Sequence, residues 1–354
     1  MNLLTENVIV LLAIRLLRSI TIDLILMIRR IENIAVLTSG GDAPGMNAAI
    51  RAVVRACSYY EVNCFGVYKG YEGLIDNEIE QLNARSVRNI INKGGTFLKS
   101  ARSKEFRTEE GRKKAYDNLL KNKIDALIVI GGDGSFTGAL KLSEEFGFPV
   151  IGIPGTIDND INGTDYTIGY DTALNTVVEA IDKIRDTASS HNRLFLIEVM
   201  GRDAGDIALN AGIGAGAEEI LIPEENMGID RLIDSLRRSK QTGKTSSIIV
   251  VAEGDKSGKN IFELGAYVEK HLEGYEVRVS VLGHIQRGGS PSCYDRVLAS
   301  KLGVGAVEAL MEGKSKIMVG IVHKKITIVP LTESLAKRKQ EHDQLIKVAD
   351  ITSV

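Results

Sequence analysis

The heptad PGTIDND, residues 154–160, follows the apolar run Pro149-Val150-Ile151-Gly152-Ile153. The run reads as a buried strand, and two carboxylates, Asp158 and Asp160, leave its end together with Thr156 and two small turn residues. A strand that merely ends in solvent needs one turn residue. A paired-acid cluster in that place suits a site that moves a proton or holds a metal. Two more glycine-rich loops follow apolar runs upstream, SGGDAPG at 39–45 and GGDGS at 131–135.

Working outward, short apolar runs read as strands at 34–37, 62–67, 126–130, 150–153, 194–199, 220–222, 248–251, 277–282 and 317–322. Between most of them apolar residues recur at three- and four-residue spacing, as over 173–187 and 230–238, which predicts helices. Runs that are apolar throughout predict strands buried on both faces, as in a parallel sheet. The expected fold is α/β, with mostly parallel sheets flanked by helices and right-handed crossovers. In such folds ligands bind beyond the carboxyl ends of the strands, where all three loops sit.

With 354 residues, 44% hydrophobic and 25% charged, the chain can bury a large core and is expected to form two domains. No internal repeat, low-complexity tract or Pro-rich linker marks a boundary, so the division has to be topological. A net charge of −2 argues against nucleic acid or an anionic membrane as the main partner. Cys57, Cys64 and Cys293 fit neither a disulfide framework nor a metal-knuckle spacing and read as reduced thiols. Residues 1–26 are rich in Leu and Ile, but Arg15, Arg18 and Asp23 interrupt them before spanning length, and no secretory signal is present. Met27 is the expected natural start, with 1–26 an extension not native to the protein.

The loops differ in chemistry. Gly40 and Gly41 let backbone N–H groups approach an anion, and the helix beginning near Pro44 favours negative charge at its start. This is neither GxxxxGK[ST] nor GxGxxG, and alone it reads first as an ordinary glycine-rich strand–helix turn. The second loop carries Asp133 among its glycines. An acid in a phosphate cradle needs a cation between them, and Mg²⁺ on nucleotide phosphates suits one or two carboxylates. A helix-capping aspartate is the plainer alternative. Arg193, Arg202, Arg278 and Arg287 lie at or near strand ends, where a guanidinium fork suits phosphate; a surface ion pair would explain any one of them.

Taken in order, SGGDAPGMNAAIR (39–51), GGTFLKSAR (94–102), VIGGDGS (129–135), PGTIDNDI (154–161), TDYTIGYDTAL (164–174), SSHNR (189–193), EVMGR (198–202) and VLGHIQRGGSP (281–291) resemble bacterial ATP-dependent 6-phosphofructokinase. The resemblance runs from about residue 27 to about residue 328. It implies transfer of the γ-phosphoryl of ATP to the 1-hydroxyl of D-fructose 6-phosphate, the committed step of glycolysis, by a cytoplasmic homotetramer. A related lipid or NAD kinase also uses a GGDG loop, but PGTIDND and HIQRGG argue against it; a catalytically silent subunit would have lost Asp158 or Asp133.

Carried over to this chain, the resemblance makes Asp158 the general base, with Thr156, Ile157 and Asp160 in its loop and Arg202 on the transferred group. Asp133 would hold Mg²⁺. ATP would meet Gly41, Tyr71, Arg102, Ser103, Arg107, Gly132, Asp133, Gly134 and Ser135. The sugar would meet Met200, Gly201, Glu253, His284, Ile285, Gln286 and Arg287, while Arg193 and Arg278 reach the 6-phosphate of a neighbouring subunit. Gly134 and Gly155 stand where pyrophosphate-dependent relatives carry Asp and Lys, which speaks for ATP. An ADP or phosphoenolpyruvate effector site would use Arg51, Arg55, Arg185, Gly216, Ala217, Glu218 and Lys244, weakened by Ala84, Thr242 and Ser246. The implied lobes are 27–169 with 286–336 for ATP, and 170–285 with 337–354 for the sugar phosphate.

Overall fold

The computed structural model describes residues 31–189, 193–225, 228–241, 247–256, 258–272, 274–338 and 342–353. The expected extension at 1–26, the start at Met27, and Thr242, Lys244 and Ser246 fall outside the described residues.

In chain order the strands are β1 (Asn33–Thr38), β2 (Asn63–Val67), β3 (Ile79–Leu82), β4 (Ala126–Gly131), β5 (Val150–Pro154) and β6 (Arg193–Val199). They continue as β7 (Glu219–Leu221), β8 (Ser247–Ala252), β9 (Glu276–Val281), β10 (Ile317–Val322) and β11 (Lys325–Pro330). One sheet has seven strands in the order β11-β10-β5-β4-β1-β2-β3, the other four in the order β7-β8-β6-β9. The second sheet is parallel throughout. The first is parallel except at its two edges, where β3 and β11 run antiparallel to β2 and β10. The α/β expectation with mostly parallel sheets therefore holds, and each strand expected from the sequence forms within a residue or two.

The edge strands β3 and β11 were not legible as apolar runs, for a physical reason. Each lies at a sheet edge with one backbone side unpaired: IEQL exposes Glu80 and Gln81, while KITIVP, interrupted by Thr327, leaves Ile326 and Ile328 exposed and buries only Val329. By contrast every residue of β4 and β5 is buried.

Parallel pairing in register sets the three loops side by side. Thr38 of β1 lies opposite Ile130 of β4, and Gly131 lies opposite Pro154 of β5. Beyond those pairs, Ser39 N–H donates to the Ile130 carbonyl at 3.0 Å and Gly155 N–H to the Gly131 carbonyl at 3.0 Å. Behind them, helices Met46–Tyr59 and Cys293–Met311 cross closely. A Cβ at Gly303 would fall 2.6 Å from the Ala52 Cβ, so the crossing needs glycine there.

The second of these helices is tied to helix Tyr170–Ser189 by a buried carboxylate. Asp295 accepts from Gly169 N at 2.9 Å on one oxygen, and from Thr172 N at 2.8 Å and Thr172 Oγ1 at 2.5 Å on the other. Burial nevertheless pushes its carboxyl up to about 6, against the pull of these donors. At pH 7 it is an anion with donors on both oxygens. Asp295→Asn turns an amide N–H₂ toward one donor set. The variant should lose about 1–3 kcal/mol of stability at pH 7. Urea unfolding of the two proteins measures this; an unchanged midpoint would show that the tie contributes nothing.

Candidate active site

The three loops enclose one side of a cavity of about 510 Å³. Gly41, Tyr71, Arg102, Ser103, Arg107, Gly132, Asp133, Gly134 and Ser135 all line it, as do Thr156, Asp160, Arg202 and Arg287. The nucleotide set expected from the sequence is therefore brought together. Tyr71 contributes only a ring face. It is buried, stacked on Phe106 at 4.0 Å, and its hydroxyl donates to the Ser135 carbonyl at 2.5 Å. Gly41 faces the guanidinium of Arg287, whose Nη1 would lie 2.6 Å from a Cβ at that position.

Asp158 sits beneath the cavity, fully buried, with neither carboxylate oxygen hydrogen-bonded among the described residues. Its backbone N–H donates to Thr156 Oγ1 at 3.2 Å. The Arg202 Nε approaches Asp158 Oδ2 to 3.2 Å as an ion pair that lacks hydrogen-bond alignment. Burial raises the Asp158 carboxyl above the ordinary carboxylate range; Asp160 adds to this, while Arg202 and Arg287 oppose it. Asp133 and Asp160 are likewise raised, first by burial, then by the Asp158 charge on Asp133 and the Asp133 charge on Asp160. Arg202 pulls both down. Among the described residues, Arg202 is the one cationic side chain that acts on all three carboxyls.

Arg202 is held there by backbone conformation. Gly201 adopts φ +144, where a Cβ would meet the Ala204 carbonyl at 2.5 Å, and Arg202 itself has φ +53. A left-handed arginine costs on the order of 1–3 kcal/mol. The Arg202 N–H donates to Glu253 Oε1 at 2.8 Å, which offsets part of that cost. Asn159, between the two acids, is also left-handed at φ +53, a conformation asparagine tolerates.

Residues expected at the sugar divide into two groups. Met200, Gly201, Glu253 and the turn 283–287 gather at the carboxyl ends of β6, β8 and β9. Gln286 is buried: its Oε1 accepts from Met200 N at 3.3 Å and its Nε2 donates to the Gly283 carbonyl at 3.0 Å, so it braces the turn. His284 and Ile285 are exposed, and the Ile157 side chain belongs to the core. Arg193 and Arg278 lie elsewhere. Arg193 opens β6, about 20 Å of strand before Met200. Arg278 lies within β9 rather than at its end, and both guanidinia pair with Glu276.

Of the expected effector residues, Arg185 donates to the carbonyls of Ala215 and Gly216 at 2.8 and 2.7 Å, with Glu218 Oε1 3.7 Å away. Ala217 is buried. Arg51 and Arg55 share helix Met46–Tyr59, where burial first, then the Arg55 charge, lowers Arg51.

The sequence reading missed Thr137, Gly138, Lys141, Phe106 and Arg112 in the cavity wall. Asp133, Thr137 and Lys141 are four residues apart on helix Asp133–Phe146, a spacing that was available to find them. Arg112 gave no such signal. It pairs with Glu145 and donates to the carbonyls of Phe106 and Arg107 at 3.0 and 2.8 Å, thereby fixing the turn that carries Arg107.

This geometry matches known proteins. Residues 33–310 match the family model for phosphofructokinase. An ATP-dependent 6-phosphofructokinase of Bacillus subtilis is 57% identical over 323 residues, covering 90% of this chain and 100% of the relative. One from Brevibacillus brevis is 55% identical, with 91% and 100% covered. Among solved structures, phosphofructokinase from Saccharomyces cerevisiae superposes with a TM-score of 0.80 at 37% identity, over 91% of this chain and 48% of that longer one. A pyrophosphate-dependent phosphofructokinase from Marinobacter aquaeolei shares the fold, with a TM-score of 0.78 at 22% identity over 92% of both chains. The chain belongs to the family of bacterial ATP-dependent 6-phosphofructokinases.

Proposed function

We propose that the chain transfers the γ-phosphoryl of ATP to the 1-hydroxyl of D-fructose 6-phosphate, giving fructose 1,6-bisphosphate and ADP. One observation carries the reading: Asp158 is a buried carboxylate whose oxygens make no hydrogen bond among the described residues, 3.2 Å from Arg202, which lines a nucleotide-sized cavity together with Thr156 and Asp160. An orphaned buried anion costs about 1–3 kcal/mol or more, so such a group implies a ligand that completes it. A sugar hydroxyl does so by donating its proton.

Asp158 takes the proton of the 1-hydroxyl as that oxygen bonds to the γ-phosphorus and the bond to the β-phosphate oxygen breaks. Its raised carboxyl makes it a better base than a free aspartate. Arg202 offsets charge on the transferred group, and Thr156 fixes the Asp158 backbone. Asp133 and Asp160 supply hard oxygen donors that suit Mg²⁺, and the Asp133 charge, which raises the Asp160 carboxyl, favours a cation between them. Bound there, the ion would neutralise phosphate charge.

Gly134 has open space where a Cβ would be, so an aspartate there would reach into the cavity, and a Cβ at Gly155 would press on Ile130 and Met46 at 3.1 and 3.2 Å. Both support a whole nucleotide as donor. A coupled assay with fructose 6-phosphate and Mg²⁺ should show turnover with ATP and far less with pyrophosphate. A clear preference for pyrophosphate would overturn the donor assignment.

Asp158→Ser should lower kcat by about 10²–10⁴ with a much smaller change in the fructose 6-phosphate KM. Because the base works deprotonated, kcat/KM should hold at high pH and fall as pH drops through the raised Asp158 titration, above the usual carboxylate range. The variant should lack that acid limb. An intact limb in Asp158→Ser would assign it to another group.

We read the chain as two lobes, 27–169 with 286–336 and 170–285 with 337–354, in a cytoplasmic homotetramer. The distance of Arg193 and Arg278 from Met200 supports their reaching a neighbouring subunit's sugar phosphate. Arg185, Gly216 and Glu218, clustered, support an ADP or phosphoenolpyruvate site completed by Arg51, Arg55 and Lys244. With Ala84, Thr242 and Ser246 the site has lost cationic groups, so phosphoenolpyruvate should inhibit only weakly. Half-inhibition at micromolar concentration in the same assay would refute this.

A further inference from the structure

Asp206, Glu224 and His342 meet outside the cavity. Asp206 opens helix Asp206–Gly214, Glu224 follows β7, and His342 precedes the last helix, Asp343–Thr352. His342 Nε2 lies 3.6 Å from Asp206 Oδ2 and 3.5 Å from Glu224 Oε1. His342 is 7% exposed, and its Nε2 is buried with no hydrogen-bond partner, because neither approach has hydrogen-bond geometry. A tetrahedral ion with ligands at about 2.1 Å holds its donors about 3.4 Å apart, close to both gaps. One ligand atom from each of the three residues lies within 4.8 Å of the others.

The surroundings resemble those of a ligating set. Glu224 Oε1 also accepts from Gly205 N at 2.8 Å, and Asp206 Oδ1 from Asn159 Nδ2 at 3.5 Å, contacts that orient the carboxylates. The Glu224 side chain is 20% exposed and provides a route from solvent. Arg338 brings a positive charge near Asp206, and its guanidinium donates to the Asn159 carbonyl.

We propose that Asp206, Glu224 and His342 bind a divalent transition-metal ion of the Zn²⁺ class, with solvent in the remaining position. This site is distinct from that of the nucleotide's Mg²⁺. It joins the C-terminal segment to helix Asp206–Gly214 and, through Asn159, to the PGTIDND loop. The final helix is short and buries no residue fully, so packing alone holds it weakly and a clamp has something to add. A protonated histidine between two carboxylates would use the same groups without taking up metal.

Chelator-treated full-length protein should be titrated with Co²⁺, then Zn²⁺, without nucleotide or Mg²⁺. One Co²⁺ per chain should bind with the visible absorption of a low-coordinate ion, be displaced by Zn²⁺, and raise Tm. His342→Ala should weaken binding about 100-fold or more and erase the band. Glu224→Gln, at the solvent edge and close in shape, should do the same if His342→Ala fails to fold. Asp133→Asn should keep both band and Tm shift. Lack of stoichiometric uptake, uptake retained in both ligand variants, or uptake lost in Asp133→Asn would overturn the site.

Discussion

Two backbone hydrogen bonds, Ser39 N–H to Ile130 and Gly155 N–H to Gly131, hold three chain segments together at the carboxyl ends of the larger sheet's central strands. The rest of the site depends on them. They continue the parallel ladder one step past the strands, so the glycine loop after β1, Asp133 after β4 and buried Asp158 after β5 leave the sheet as neighbours. A residue without a side chain at 131 is part of this arrangement: a Cβ there would lie 2.4 Å from Ser135 Oγ and 2.5 Å from the Ser39 carbonyl. The loops cannot separate without breaking the register of β1, β4 and β5.

On that frame the protein concentrates like charge. Asp133, Asp158 and Asp160 are each destabilised as anions by burial and by one another. Arg202 is the main local compensation, and it occupies a backbone conformation that arginine disfavours. Such tension is expected where binding energy is used for chemistry, because the missing compensation arrives with the substrates. Stability is recovered away from the site, in the continuous apolar core behind the sheets and in satisfied polar ties such as Asp295 with Thr172.

Much of this was legible in the chain. The runs 126–130 and 150–153 are apolar throughout because both their faces are covered, and the glycine and aspartate loops follow them directly. Strand β3 is hard to see because its exposed Glu80 and Gln81 leave no apolar run, and β11 because its short apolar stretch, broken by Thr327, is largely exposed at the sheet edge. Arg112 was invisible for another reason: its role comes from Glu145 and from carbonyls that only the fold brings near. The cluster of Asp206, Glu224 and His342 brings His342 to two acids more than a hundred positions earlier, without a motif. The resemblance supplied roles for Arg193 and Arg278 that spacing could not, since within one chain both pair with Glu276.

The strand order has a consequence for synthesis. β5, which leads into the PGTIDND heptad, pairs on one side with β4 and on the other with β10. β10 begins roughly 160 residues after β5 ends, so a ribosome adding about 5–20 residues per second exposes that side of β5 for roughly 10–30 s. During this interval the larger sheet has an open apolar edge, the kind that templates unwanted pairing. The smaller sheet is translated within the same window. The time needed to translate that intervening segment therefore governs how long the nascent chain remains vulnerable to aggregation.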